Sequence, residues 1–221
     1  MYFRDRSQAG LLLASKLHAY RARHDVIVFA LPRGGVVVGY EVAAALQVPL
    51  DVLVVRKVGL PGYSEMAIGA LASGGVESIS SEAVRRFRVS PEDLRNVIAN
   101  ERKELSRQEQ LFRDDKPFPE IYDKVVILAD DGLATGQTMK AAITAVRSHA
   151  PKEIVVAVPV GAPETCRHLS REVNHVICLF TPEDFAAVGA FYEDFRQVND
   201  DTVIMLLREA NENLHSACPA R

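Results

Sequence analysis

Apolar residues in this chain gather into two alternating kinds of run. Short, β-branched stretches stand at VIVFAL (26–31), LDVLVV (50–55), KVVILA (124–129), EIVVAVPV (153–160) and HVICLF (175–180). Runs of that length and composition predict strands buried on both faces. Between them the apolar positions recur at helical spacing. Val38, Val42, Ala45 and Leu46 share one face of a helix predicted over 36–47, and Met139, Ala142, Ile143 and Val146 share one over 138–149. A further helix follows Pro163, with Cys166, Leu169 and Val173 inward. Strands alternating with helices predict an α/β fold, a doubly wound and mainly parallel sheet covered on both faces. Ligands of such folds bind beyond the carboxyl ends of the strands.

Two segments break this rhythm. Within the polar stretch 80–120, Ser90, Pro91, Glu92 and Asp93 spell a helix start: a cap, a proline at the first helical position, then acids in the first turn. An inserted helix over 91–113 is expected, with Leu94, Ile98, Leu105 and Phe112 as a sparse apolar stripe and charges of both signs on its solvated faces. Residues 181–197, TPEDFAAVGAFYEDFRQ, are aromatic, acidic and without a clean period. Residues 211–221 read as a frayed end. No repeat, low-complexity tract or linker divides the chain, so residues 1–221 are taken as one domain carrying a helical insertion.

Composition narrows the function classes. With 48% hydrophobic and 25% charged residues over 221 positions, the chain can bury a sizeable core. A formal charge of -3 and a pI near 6.1 argue against a field that grips nucleic acid or an anionic membrane. No apolar run approaches the roughly 20 residues of a membrane span, and MYFRDRSQAG lacks the apolar stretch of a signal peptide. Cys166, Cys178 and Cys218 have no CxxC spacing, and no HExxH pairs the histidines, so reduced thiols and a cytoplasmic location are expected, without structural zinc. The absence of Trp weakens any base-stacking platform for nucleic acid.

Chemistry concentrates in VVILADDGLATGQTMKAAITAV, residues 125–146. A buried strand delivers Asp130 and Asp131 at its C-terminal end, and a short loop from Gly132 to Gln137 enters a helix at Thr138. Backbone N–H groups of such a loop, with the positive end of the helix dipole, make a nest for a phosphate dianion. Thr135 and Thr138 add hydroxyl donors, and Gly136 lets the backbone come close. Two carboxylates would repel a bare phosphate. They fit a phosphate hung from a sugar whose vicinal hydroxyls donate to Asp130 and Asp131. The plain alternative, a helix cap and an ordinary turn, explains less of this cluster. No GxxxxGK[ST] is present, and no GxGxxG follows the first strand.

This segment resembles the signature of the type I phosphoribosyltransferases, which binds 5-phosphoribosyl 1-diphosphate (PRPP). ILADDGLATGQT departs from the family pattern at Gly132, where an aliphatic residue or Ser is usual, which is expected to loosen the loop. The resemblance implies a Rossmann-like sheet with a small hood, Asp130 and Asp131 on the ribose hydroxyls, and Ala134, Thr135, Gly136, Gln137 and Thr138 on the 5-phosphate. Two further anion-binding loops should then follow neighbouring strands. After VIVFAL come Pro32, Arg33, Gly34 and Gly35, whose glycines open a helix and whose Arg can chelate phosphate oxygens, unless this is a plain strand-to-helix turn. After LDVLVV come Arg56 and Lys57 and a loop with two glycines and a proline through Glu65, which suits a mobile flap or a surface loop with snorkelling cations. The RKxGxPG string is a partial match to adenine phosphoribosyltransferases.

The resemblance implies a transferase that displaces pyrophosphate from C1 of PRPP with a nitrogen nucleophile such as a nucleobase. Arg33, Gly34, Gly35, Arg56 and Lys57 would receive the pyrophosphate, together with Mg²⁺ held by substrate oxygens rather than by assigned protein ligands. Lys57 and Glu65 are the candidate catalytic side chains, Glu65 as proton acceptor or else a solvated loop acid. Ala134 stands where 6-oxopurine transferases carry an Asp, which counts against a hypoxanthine or guanine specialist. Residues 181–197 would form the hood, with Phe185 or Tyr192 stacking on a base and Glu193 or Asp194 reading its edge, unless the aromatics only pack. A non-catalytic PRPP sensor is the competing reading, and a metal-dependent phosphoesterase a weaker third. Small-molecule partners are expected, not nucleic acid or membrane, and a homodimer stays open.

Overall fold

The computed structural model describes residues 2–114 and 116–217, with the side chains of Ser64, Glu65 and residues 215–217 outside that description. The elements run α1 (Arg6–Lys16), β1 (Val26–Ala30), α2 (Gly34–Leu46), β2 (Leu50–Val52), β3 (Val55–Leu60), β4 (Tyr63–Ala72), β5 (Val76–Ile79), α3 (Ser81–Arg86), α4 (Pro91–Arg113), β6 (Val125–Ala129), α5 (Gln137–Arg147), β7 (Glu153–Val160), α6 (Pro163–Leu169), β8 (His175–Phe180) and α7 (Asp200–Ala217). Five strands form a parallel sheet in the order β2-β1-β6-β7-β8, and β3, β4 and β5 form a separate antiparallel sheet. No helix among the described residues is long and apolar enough to cross a membrane.

The uniform apolar runs fold as parallel strands because both faces are covered. Alternate residues of β1 and β6 point to opposite cores. Val26, Val28, Ala30, Val125, Ile127 and Ala129 meet Leu13, Val38, Val42, Leu46 and Val203 on one face. Ile27, Phe29, Val126 and Leu128 meet Met139, Ile143, Val146 and Leu169 on the other. Thus α2 leaves β1 toward one face and α5 leaves β6 toward the opposite one. The adjacent strands β1 and β6 end level, Ala30 opposite Ala129. Their departing loops therefore open a crevice at the point where the strand order reverses, the usual ligand site of a doubly wound sheet.

Several boundaries differ from the sequence expectation. The run 50–55 is not one strand: β2 stops at Val52, Leu53 and Val54 pass buried beneath the site, and β3 starts a different sheet. The expected mobile flap is a hairpin, Leu60 paired with Tyr63 across a two-residue turn at Pro61 and Gly62. β4 runs on through Ala72, beyond the loop expected to end at Glu65, with Ile68 and Leu71 buried. The expected frayed end is α7 as far as Ala217, because Val203 and Leu207 dock on the core; residues 218–221 lie outside the described residues. The inserted helix occupies its expected span, with the Ser90 hydroxyl accepting from Asp93 N at 3.1 Å. The segment 181–197 is irregular apart from one 3₁₀ turn at Val188–Phe191, and Phe3 pairs with Tyr192 to tie it to the N-terminus.

Candidate active site

The crevice between β1 and β6 is built from their two loops. A buried β6 fixes the backbone up to Ala129, so Asp130 and Asp131 emerge at a defined point. Above them α2 starts at Gly34, beside a cis peptide between Pro32 and Arg33. The approach is so close that only glycine fits. A Cβ on Gly34 would overlap Asp131 Oδ2, and one on Gly35 would lie 2.8 Å from Asp130 Oδ1. The loop expected to take pyrophosphate therefore sits directly on the acids expected to take ribose.

Each acid is held by one oxygen. Asp131 N donates to Asp130 Oδ1 at 2.8 Å, and Arg6 Nε donates to Asp131 Oδ2 at 2.7 Å. Among the described residues the second oxygen of each carboxylate carries no hydrogen bond, which leaves one acceptor per acid for a pair of hydroxyls. Desolvation, then the neighbouring Asp131, pushes the pKa of Asp130 well above the ordinary carboxylate range. Desolvation raises that of Asp131 as well, opposed by Arg6.

The loop from Gly132 to Gly136 is clamped from outside. Leu133 bridges Gly161 at the end of β7, the Tyr192 hydroxyl donates to Asp131 O at 2.7 Å, and the Thr165 hydroxyl donates to Ala134 O at 2.7 Å. Gly136 adopts φ 70° and caps α5, whose first-turn N–H groups have no partner inside the helix. Ala134, Thr135 and Gln137 are exposed. Gly132 does not loosen this loop. It admits the hood, since a Cβ there would come within 2.5 Å of Val188 Cγ1.

The expected pyrophosphate side is assembled only in part. Arg33, Arg56 and Thr138 line one recess of about 200 Å³ with Pro32, Val54 and Gln108. Arg33 leans toward α7, its Nη1 donating to Val198 O at 3.3 Å and its Nε 3.5 Å from Asp200. Arg56 is engaged by Glu101 of α4 at 2.8 Å, so the inserted helix holds the cation expected to serve the substrate. Lys57 is exposed on β3 and does not line the recess. The Glu65 side chain lies outside the described residues. A hollow of about 320 Å³ at the opposite, N-terminal end of β1 and β2 has Arg113 on its wall, but that guanidinium is bound to Asp51 and Val52 O, a structural pairing.

Hood aromatics pack on one another. Tyr192 is buried between Phe3, at 5.4 Å between ring centroids, and Phe195, at 5.0 Å, so it is no free stacking face. Phe185 stacks on Phe191 at 5.6 Å and is half-buried, while Glu193 is exposed and Asp194 pairs with Arg196. Arg6 escaped the sequence reading altogether. Its signal was a cation in the first turn of a helix, next to the N-cap Asp5, where the dipole disfavours it and a partner must compensate.

Comparison with known proteins supplies the family. The description "Phosphoribosyl transferase domain" matches residues 8–195. The chain belongs to that family. Relatives named "Putative phosphoribosyl transferase" in two strains of Mycobacterium tuberculosis are each 39% identical over 215 residues, 97% of this chain. The chain spans about half of their length, 48%. The crystal structure of TT1426 from Thermus thermophilus is 42% identical with a TM-score of 0.83, covering 95% of this chain and 99% of that one. The matched span includes the acid pair, the nest and the hood as far as Phe195, and it leaves Arg6 and Arg196 just outside.

Proposed function

We propose that this phosphoribosyl transferase domain binds PRPP in the β1–β6 crevice and transfers its phosphoribosyl group to a nitrogen nucleophile. The observation that carries the reading is the contact of Gly34 and Gly35 with Asp131 and Asp130. It supports reading the N-terminus of α2 as a nest for pyrophosphate beside two hydroxyl acceptors, with a second nest at Ala134–Thr138 where α5 begins. A ligand spanning these points needs an anion at each end and vicinal hydroxyls between them.

In the reaction the C1–O bond to pyrophosphate breaks and its electron pair leaves with the pyrophosphate, while a nitrogen lone pair forms the new C1–N bond. Charge developing on the leaving group calls for Arg33, which lines the recess, and for Lys57, which stands exposed on β3 outside it and would reach the pyrophosphate only as the hairpin closes, while Asp130 and Asp131 would hold the ribose. The proton released from the nucleophile goes to a base, for which Glu65 on β4 is the proposed acceptor. Among the described residues no cluster of three or more His, Cys, Asp or Glu could enclose a metal, so Mg²⁺ would take its ligands mainly from PRPP oxygens and neutralise pyrophosphate charge there. With Tyr192 buried and Ala134 at the mouth of the loop, the acceptor is read by other groups than a Tyr192 stack.

The test is pyrophosphate release from PRPP and Mg²⁺ with a panel of purines, pyrimidines and small amines. Release dependent on at least one acceptor is expected. Tight PRPP binding without release from any acceptor would overturn the transferase reading in favour of a sensor.

A further inference from the structure

The acid pair is reached from the N-terminus by a residue that the ribose reading does not by itself require. Arg6 stands in the first turn of α1, 10% exposed at its side chain, and its Nε donates to Asp131 Oδ2 at 2.7 Å. Its Nη1 donates to Arg196 O at 2.9 Å, and its guanidinium carbon lies 3.8 Å from the centroid of the Phe195 ring. One planar group thus touches three things: the Asp131 carboxylate, the hood backbone at Arg196, and the hood aromatic Phe195. The backbone is arranged to hold it there. Phe3 N donates to Phe191 O and Glu193 N to Phe3 O, both at 2.9 Å, which pins the residues before α1 to the hood. Asp5 then caps α1, its carboxylate accepting from Gln8 N at 2.8 Å, and turns Arg6 inward.

We propose that Arg6 is a positioning residue that fixes Asp131 for the ribose hydroxyls and couples the acid's geometry to the hood segment it touches at Phe195 and Arg196. The inference rests on the ribose reading of Asp131. The charge-assisted bond singles out one oxygen: with Oδ2 held by Arg6, Oδ1 is the one offered to the substrate. The same ion pair supplies the one positive charge against this acid among the described residues. Facing Asp131 are Asp130 beside it, Arg6 from α1, the Tyr192 hydroxyl on its carbonyl oxygen, and the uncharged Gly34–Gly35 start of α2. Without Arg6 two adjacent, desolvated acids remain, and the pair would retain a proton to higher pH, removing an acceptor from the hydroxyls.

The test compares Arg6→Gln and Arg6→Lys with the wild type by titration calorimetry with PRPP and Mg²⁺ between pH 6 and 8.5, alongside the thermal midpoint of each protein. Loss of a charge-assisted hydrogen bond predicts affinity down about tenfold in R6Q at the alkaline end. The loss should deepen as pH falls, because protonation of the pair begins earlier in R6Q. R6K keeps the charge but not the planar fork, so it should bind more weakly than wild type with a wild-type pH profile. An R6Q affinity and profile equal to wild type would overturn the proposal. So would a pH-independent loss that merely follows the fall in midpoint, the mark of a purely structural arginine. If R6Q does not fold, R6K decides: a shifted pH profile there, with the charge retained, contradicts the assignment. Wild-type protein that binds no PRPP would instead overturn the ribose reading itself, whereas wild-type binding with an unmoved R6Q profile overturns only this inference.

Discussion

The loops after 124–129 and after 50–55 were both expected to leave strands of one sheet and to serve one substrate, yet segments 125–138 and 55–72 are built in opposite ways. The first is a central strand buried at every position, whose loop is tied at Asp131, Leu133 and Ala134 by groups from the hood, β7 and α6. The second leaves the main sheet after Val52 and becomes a hairpin with Lys57, Tyr63 and Met66 exposed, Tyr63 at 72%. A nest for a fixed dianion profits from rigidity, since its dipoles then need no reorganisation. If the hairpin covers the substrate, the turn from Pro61 to Met66, exposed at Tyr63 and Met66, is the part free to move, since Val58, Ile68 and Leu71 anchor its base in the core.

The contrast can be broken most forcefully at Gly34. Gly34→Ala forces a Cβ into Asp131, and PRPP affinity is expected to fall about a hundredfold or more, ~2.8 kcal/mol. Gly62→Ala tests the other region. Nothing lies within 4 Å of its Cβ, and φ of 82° is the only objection, so it should cost about 1 kcal/mol of stability and leave PRPP affinity alone. Equal losses of affinity in the two variants would erase the distinction.

Within the hairpin, neighbouring cations should separate. Lys57→Ala is expected to lower turnover, followed by pyrophosphate release, about tenfold or more. Arg56→Ala should stay within about threefold, because Arg56 is committed to Glu101 at 2.8 Å, a pair about a third exposed and worth under ~1 kcal/mol. A larger effect at Arg56 would mean that the Glu101 pairing opens for substrate.

The smallest expected effect concerns stability. The folded pKa of Asp130 is raised, chiefly by desolvation and then by Asp131. The folded chain thus keeps this proton where the unfolded chain has lost it, so stability falls as pH rises from about 4 through the folded pKa. Asp130→Asn removes that penalty while keeping an acceptor for Asp131 N. Its thermal midpoint should exceed wild type by about 2–4 °C at pH 8, with the gap closing as pH falls. An Asn variant less stable than wild type at pH 8 would contradict the desolvated-acid account.

Legibility in the sequence followed the same divide. The acid pair, the 130–138 loop and α4 could be read because local pattern and final environment agree: a run of five apolar residues really is buried on both faces, and Ser90-Pro91 really caps a helix. The antiparallel sheet was missed because GLPGYSEMAIGALA carries turn residues and small residues where strand propensity is weak, and register with β5 supplies what propensity does not. Arg6 was missed because its partner lies 125 residues away, a pairing that no local pattern encodes. The two hood aromatics were readable as aromatics but not as free or packed, since that depends on Phe3 and Phe195 arriving from elsewhere.

The central claim is that Asp130 and Asp131 grip a ribose hydroxyl pair beneath the Gly34–Gly35 nest. Titration calorimetry of PRPP with Mg²⁺ against wild type and the Asp130→Asn, Asp131→Asn double variant tests it most directly. Saturable binding to the wild type and none to a folded double variant is the predicted result; equal affinity in both would contradict the account.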